Sequence, residues 1–303
     1  MRNCCWLLMA ILLPAEVRVE RRPDAVSVFL DGKRVTSFEY GPVWDKPFLF
    51  PLQSPSGVTL TRGWPVAERP GDSKDHRFHR GLFFGHRDIN GMDFWLEGDA
   101  GKTGRIAVTS SPVWRKGMLQ VVGSLIPPGG PRLGSMLAKY RFARAPQAYE
   151  IEVWLTIAAD AGVDLKLGDT EEALLGLRLA EEFREDRGAT LMNSNGLVGT
   201  KNIWGKQAAW VDYSTSREGK KVGVAFLDHP TNPRSPTYWH ARGYALNAAN
   251  AFGVRHFTGD KTKDGALTVA KGKRITFRYL LLLHDGDASE AKVAQRFDAW
   301  KTK

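Results

Sequence analysis

The chain has 303 residues, 43% of them hydrophobic and 25% charged, a balance that excludes wholesale disorder and leaves enough apolar side chain for a sizeable core. Its 43 Lys and Arg against 33 Asp and Glu give a formal charge of +10, but the two signs are interspersed, which argues against the concentrated basic footprint of a nucleic-acid-binding protein. The 31 Gly and 16 Pro are spread along the sequence, as expected where many short strands are joined by turns.

Residues 1–15 have the form of a signal peptide. Arg2 supplies the positive charge, Cys4 to Leu13 (CCWLLMAILL) is an uncharged apolar run too short to span a bilayer, and Ala15 offers a cleavage position. Export to the periplasm or the medium is therefore expected. Cleavage there would remove Cys4 and Cys5, the two cysteines of the chain, leaving no disulfide, thiolate ligand or cysteine nucleophile. No later run reaches ~18 apolar residues, so no membrane span is expected in the mature chain.

From Val26 the pattern is that of strands. Val26, Val28 and Leu30 alternate, Asp31-Gly32 is a turn dipeptide, and Val35 and Phe38 resume the alternation, which reads as a hairpin. Strand-like runs recur at Met118 to Ile126, Tyr149 to Ile157, Lys221 to Leu227 and Arg274 to Leu283. The last, with ITFRYLLLL, has the continuous apolar character of a strand covered on both faces. Asp169 to Phe183 carries helix formers behind a cap-like Asp169 and Glu172 pair. At the carboxyl end Asp287 and Glu290 precede Val293, Ala294, Phe297 and Trp300 on one helical face. The expected fold is mainly β: a large antiparallel β-sandwich with a short C-terminal α-helix, forming one domain over residues 16–303.

Several common motifs are missing. There is no G-x-G-x-x-G, G-x-S-x-G or H-E-x-x-H. Gly101-Lys102-Thr103 resembles the end of a phosphate loop, but Leu96 stands where the first glycine is needed.

Two polar clusters remain. Asp72 to Glu97 concentrates His76, His79 and His86 with Arg80, Asn90, Asp93 and Trp95 among glycines and aromatics, the mixture in which imidazole, carboxylate and guanidinium can share proton transfer. His76, His79 and His86 are also the residue type that holds zinc or iron. Asp228 to Phe252 brings His229, His240 and Arg242 together with Trp239 and Tyr244. Aromatic faces beside hydrogen-bonding groups suit a sugar groove, and Trp204, Trp210 and Tyr213 in NIWGKQAAWVDYS add to that character.

PFLFPLQSPSGVTLTRGWP, HRFHRGLFFGHRDINGMDFW, GDTEE, NIWGKQAAWVDYS and DHPTNPRSPTYWHARGYALNAANAFG, spanning about Lys46 to Phe252, together resemble the secreted bacterial family labelled methane oxygenase PmoA. The resemblance implies export and a shared fold, with polar positions at His79, Arg80, His86, Asn90, Asp93, Asp169, Glu171, Arg178, His229, His240 and Arg242. This chain departs from it with Phe78 before His79, Asn195 where a glutamate is usual and Ala251 where a proline is usual. In that family GDTEE looks like a strand edge feeding the site, which discounts the helical pattern around Glu171. A looser resemblance to galactose-mutarotase supersandwich proteins implies fold alone.

The leading expectation is an exported carbohydrate-active enzyme of epimerase, lyase or hydrolase type. His79, His86 or His240 would transfer protons, Asp169 or Glu171 would supply a carboxyl group, and Arg80 and Arg242 would clamp an oxyanion or carboxylate. Asn90, Asp93, Trp95, Arg178, Trp204, His229, Trp239 and Tyr244 would contact the substrate. The alternatives are a non-catalytic glycan-binding protein, and a metal-dependent oxygenase or hydrolase using His76, His79 and His86. No other cofactor is expected.

Overall fold

Alternation decides the architecture. In the hairpin Ala25–Leu30 and Lys33–Glu39, the side chains of Val26, Val28, Leu30, Val35 and Phe38 are fully buried. Asp31 and Gly32 take φ values of 49° and 75°, the left-handed pair that a two-residue hairpin loop requires. The computed structural model describes residues 16–98 and 101–303; the signal-like residues 1–15 lie outside the described residues.

Two large antiparallel sheets pack face to face. The first has eight strands in the spatial order Val17–Arg22, Ala25–Leu30, Lys33–Glu39, Phe48–Leu49, Leu82–His86, Ala173–Arg178, Leu246–Asn250 and Tyr238–Arg242. The second runs Thr190–Asn193, Trp210–Arg217, Lys220–Asp228, Arg274–Asp285, Ala148–Ala159, Gly134–Ala145, Met118–Ile126 and Arg105–Val108, with Val113–Arg115 also paired to Met118–Ile126. Val26, Leu82, Phe84 and Leu177 of the first sheet meet Val121, Ile151, Phe277 and Leu281 of the second in one buried cluster.

The strand Arg274–Asp285 is apolar on both sides for a visible reason. Leu281 and Leu283 face the inter-sheet core, while Leu280 and Leu282 lie in a second cluster with Val293 and Trp300 of the C-terminal helix. That helix runs Val293–Trp300. The reciprocal bonds of the cap form upstream, with Asp287 N–H donating to Glu290 and Glu290 N–H donating back to Asp287. Lys292 then takes φ 55°, which delays the helix to Val293.

Two elements stand apart from the local sequence pattern. Val17–Arg22, ahead of the first run read as strand, is an edge strand, with Val17 and Val19 packed toward the core and the intervening charges outward. The helical pattern over Asp169 to Phe183 gives the strand Ala173–Arg178 and a short 3-10 turn at Glu181–Phe183. Burial of the whole strand between two neighbours overrides local helix propensity. Among the described residues no helix is long and apolar enough to cross a membrane.

Beneath the C-terminal region a fully buried ion pair joins Asp212 to His284, with Nε2 2.7 Å from Oδ2. Burial alone would keep His284 neutral; the Asp212 carboxylate and its hydrogen bond outweigh this and raise the imidazole pKa above its ordinary value. A raised folded pKa contributes stability that is complete below the unfolded value of about 6.5 and is lost as pH climbs through the folded value. Asp212→Asn is therefore expected to lower the unfolding free energy by roughly 3–5 kcal/mol at about pH 6. It should also flatten the stability loss above that pH, read from urea melts across a pH series. An unchanged pH dependence in the variant would refute the coupling.

Candidate functional site

The face of the eight-stranded sheet that points away from the core carries one continuous row of side chains. Paired residues along it are Arg22, Ala25, Glu39, Phe48, Phe83, Gly176, Ala248 and His240. Arg178, Leu246 and Arg242 form a shorter row beside it. The small residues Gly176 and Ala248 leave a trough between Phe83 and His240, and Trp95 fills its near end. A Cβ on Gly176 would lie 2.7 Å from the Phe83 ring and 3.0 Å from the Trp95 indole.

A loop crosses this face because a buried arginine gathers it. Arg62 donates through Nη1 to the carbonyls of Ser73 (3.2 Å) and Asp75 (2.9 Å) and through Nη2 to those of His76 (3.0 Å) and His79 (3.2 Å). It also pairs with the Asp75 carboxylate. His76 is thereby held at φ 44°, a conformation a histidine adopts only when its surroundings dictate it. Arg178, fully buried, donates Nη2 to Asp75 (2.9 Å) and to Ser73 (3.1 Å), while its Nη1 and Nε have no partner. Burial works against ionisation of Asp75, but Arg178, a hydrogen bond to His76 and Arg62 outweigh it and bring its pKa to about 2.

On this frame the rings stack. His76 lies parallel to His79 with centroids 5.0 Å apart and parallel to Tyr244 at 5.2 Å; His79 in turn stacks on Phe83 at 5.6 Å. Asp75 Oδ2 sits 3.1 Å from His76 Nδ1. Both Arg178 and Arg242 lie over the Tyr244 ring, at 4.8 and 5.7 Å. Arg242 also covers Trp204 at 5.9 Å and, among the described residues, forms no ion pair.

Two of the imidazoles are fixed in the same way. Trp95 Nε1 donates to His79 Nε2 at 3.0 Å, and Trp204 Nε1 donates to His240 Nδ1 at 3.2 Å. An indole has only a donor, so each neutral ring must carry its proton on the opposite nitrogen. That nitrogen, Nδ1 of His79, has no partner. Burial, reinforced by nearby positive charge from Arg178, holds His79 well below the ordinary histidine range. Burial together with Arg242 and His76 brings His240 to about 3.

The structure therefore brings together His79, Trp95, Arg178, Trp204, His240, Arg242 and Tyr244 of the residues singled out in the sequence. It separates the rest. His86 shares the inward parity of Leu82 and Phe84 and packs on Phe252 at 4.9 Å between the sheets, where burial keeps its pKa at about 3. Trp239 is also an inter-sheet residue, its Nε1 donating to the Ala208 carbonyl. His229 lies outside the other sheet, bonded to Arg278 and against Trp300.

Arg80 is buried in ion pairing with Glu97, which Lys46 also holds, and its guanidinium is flanked by Trp44 and Phe48. Asp169 Oδ2 accepts the backbone N–H groups of Arg255 and Gly265. Asn90 ties two loops through Lys166 N–H and the Asp164 carbonyl, and Asp93 caps Trp95 and Leu96. Glu171 is half-buried and makes no side-chain hydrogen bond.

Arg62, Ser73 and Asp75 are the residues that sequence reasoning passed over. With His86 on the opposite side of the sheet, His76, His79 and His86 do not converge, and among the described residues no group of three His, Cys, Asp or Glu side chains could hold a metal.

Residues 25–298 match the family described as a family of unknown function, DUF6807, and the chain belongs to that family. No curated protein matches it in sequence. Among solved structures, it is similar to an alpha-galactosidase from Lactobacillus brevis at 8% identity and a TM-score of 0.42, covering 91% of this chain and 40% of that one. A galactose mutarotase-like protein from Clostridium acetobutylicum is similar at 8% identity and a TM-score of 0.34, covering 90% and 99% of the two chains. The chain thus spans under half the length of the galactosidase.

Removing the Arg62 guanidinium takes the donor from four carbonyls and leaves Asp75 to Arg178 and His76, so Arg62→Ala is expected to cost roughly 3–5 kcal/mol. Arg62→Lys should recover less than half, since an ammonium cannot reach acceptors spread around a planar fork; recovery of full stability in urea melts would contradict this account. Gly176→Ala should cost about 1–3 kcal/mol by displacing Phe83 and Trp95, measured as a drop in Tm, and an unchanged Tm would show that the trough floor has slack.

Proposed function

We propose that this member of the DUF6807 family is an exported enzyme acting on a carbohydrate or a similar oxygen-rich small molecule, with Asp75 and His76 as its proton-transfer pair. The observation that carries this reading is the geometry of that pair. The carboxylate beside Nδ1 fixes the tautomer and stabilises the imidazolium, which leaves Nε2 as the base. Export rests on the leader-like residues 1–15.

The neighbouring groups support a reaction in which charge develops on oxygen. His240, held neutral at physiological pH by its burial, is suited to donate N–H to a carbonyl or hydroxyl oxygen rather than to exchange protons, while His79, its Nδ1 buried, supports His76 from beneath in the stack. Arg242, a cation without a carboxylate partner, lies where it can stabilise an oxyanion. Trp204 offers an apolar ring to a sugar, and Tyr244, with Arg184, Glu185, Asp186 and Gly243, lines an open cleft of about 420 Å³ beside the stack.

His76→Ala is expected to lower kcat at least ~100-fold with KM changed only a few-fold, assayed across a panel of aldoses, uronates and methyl glycosides. Because His240 stays neutral, His240→Gln should raise KM without moving the pH profile. Full turnover by His76→Ala would end the catalytic assignment, and binding without turnover by the unmodified protein would favour a glycan-binding role.

A further inference from the structure

The same sheet face ends at its other edge in a second, chemically different cleft. Its volume is about 530 Å³, within the range of roughly 300–1,000 Å³ usual for small-molecule sites. It lies at the Arg22 and Glu39 end of the cross-strand row, roofed by the loop around Val66 and by Arg217 and Glu218 of the second sheet.

Four arginines line it: Arg22, Arg34, Arg69 and Arg217. Arg22 reaches Glu39 only at 3.5 Å, and Arg69 and Arg217 share Glu182 at 2.8 and 3.1 Å. Arg217 also meets Glu218 at 3.5 Å. Arg217 is buried, its side chain only 3% exposed, and its Nη1 lacks a well-directed hydrogen bond. Among the described residues the Arg34 side chain makes neither a hydrogen bond nor a close ion pair, and its charge is felt at Glu39.

Four guanidinium groups thus face three carboxylates. One positive charge is left over, which a single carboxylate would neutralise and a phosphate dianion would overshoot. The wall carboxylates Glu39 and Glu218 favour a ligand that donates hydroxyl protons as well as bearing charge. Phe50 and Pro51 add an apolar surface against which a sugar face can lie.

We infer that this cleft is a binding site for an acidic sugar, with the ligand carboxylate seated between Arg34 and Arg217 and its hydroxyls on the wall glutamates. The site is independent of the Asp75 and His76 pair, from which the aromatic block of Phe48, Phe83 and Trp95 separates it on the sheet face.

Calorimetric titration of the full chain with methyl galacturonoside, which carries one carboxylate, tests the inference, with galactose and inorganic phosphate as controls. The uronoside should bind, galactose and phosphate should bind at least tenfold more weakly, and Arg34→Ser should weaken the uronoside about tenfold, as loss of one charged hydrogen bond does. Arg34→Glu should abolish binding, while His76→Ala should leave it intact. Arg34 is exposed, and an unchanged Tm in both Arg34 variants verifies folding. No binding of the uronoside, equal binding of galactose or phosphate, indifference to Arg34, or loss in His76→Ala would each overturn the assignment.

Discussion

The candidate site depends on one buried guanidinium. Arg62 collects four backbone carbonyls and a carboxylate from the segment Ser73 to His79, a task for which only a planar fork of donors has the reach. A loop of this length over an exposed sheet would otherwise leave its polar backbone to water and its histidines without fixed positions. Charge-assisted bonds of this kind contribute roughly 1.5–3 kcal/mol each, and less where the acceptor is open to solvent, as the Asp75 carboxylate in part is. That is enough to hold His76 in the left-handed region and to set its ring between His79 and Tyr244. The strain at His76 is thus maintained by an interaction outside the stack itself.

Strand parity does the second half of the sorting. The sheet has an inner face closed against its partner and an outer face crossed by the loop, and a shift of one residue moves a side chain from one to the other. Tyr238, His240 and Arg242 look outward while Trp239 and Ala241 between them enter the core. In the same way His86 is committed to the interior by Leu82 and Phe84, whereas His79 precedes the strand and joins the outer surface through its stack on Phe83. Polarity of residue type therefore says less than position along the alternation.

This explains what the sequence made legible. The hairpin at Asp31-Gly32, the four long strands and the apolar face of the terminal helix could be read because each is a local period. The helical pattern around Glu171, which the resemblance already discounted, gives way to a strand whose neighbours in the sheet, at Leu82 and Leu246, are distant in sequence. For the site, the concentration of His, Arg and aromatic residues in two segments was visible, and the parity of Leu82, Phe84 and His86 could have removed His86 beforehand. The roles of Arg62 and Asp75 could not be read. Their partnership with Arg178 spans 103 residues for Asp75 and arises only when the strand Ala173–Arg178 is laid beside the loop. Arg80 illustrates the converse, a residue of suitable type spent on burying Glu97.

The two indoles have a consequence for how the trough responds to acid. A glutamine or tyrosine beside an imidazole can turn and offer an oxygen when the ring gains a second proton; an indole has nothing to offer. Trp95 and Trp204 therefore act as rectifiers, holding the single ring proton of His79 and His240 on the nitrogen away from the indole and forbidding the doubly protonated ring unless the pair comes apart. Those two histidines then add nothing to the positive potential of the trough, which rests on its guanidinium groups and on the Asp75 and His76 pair.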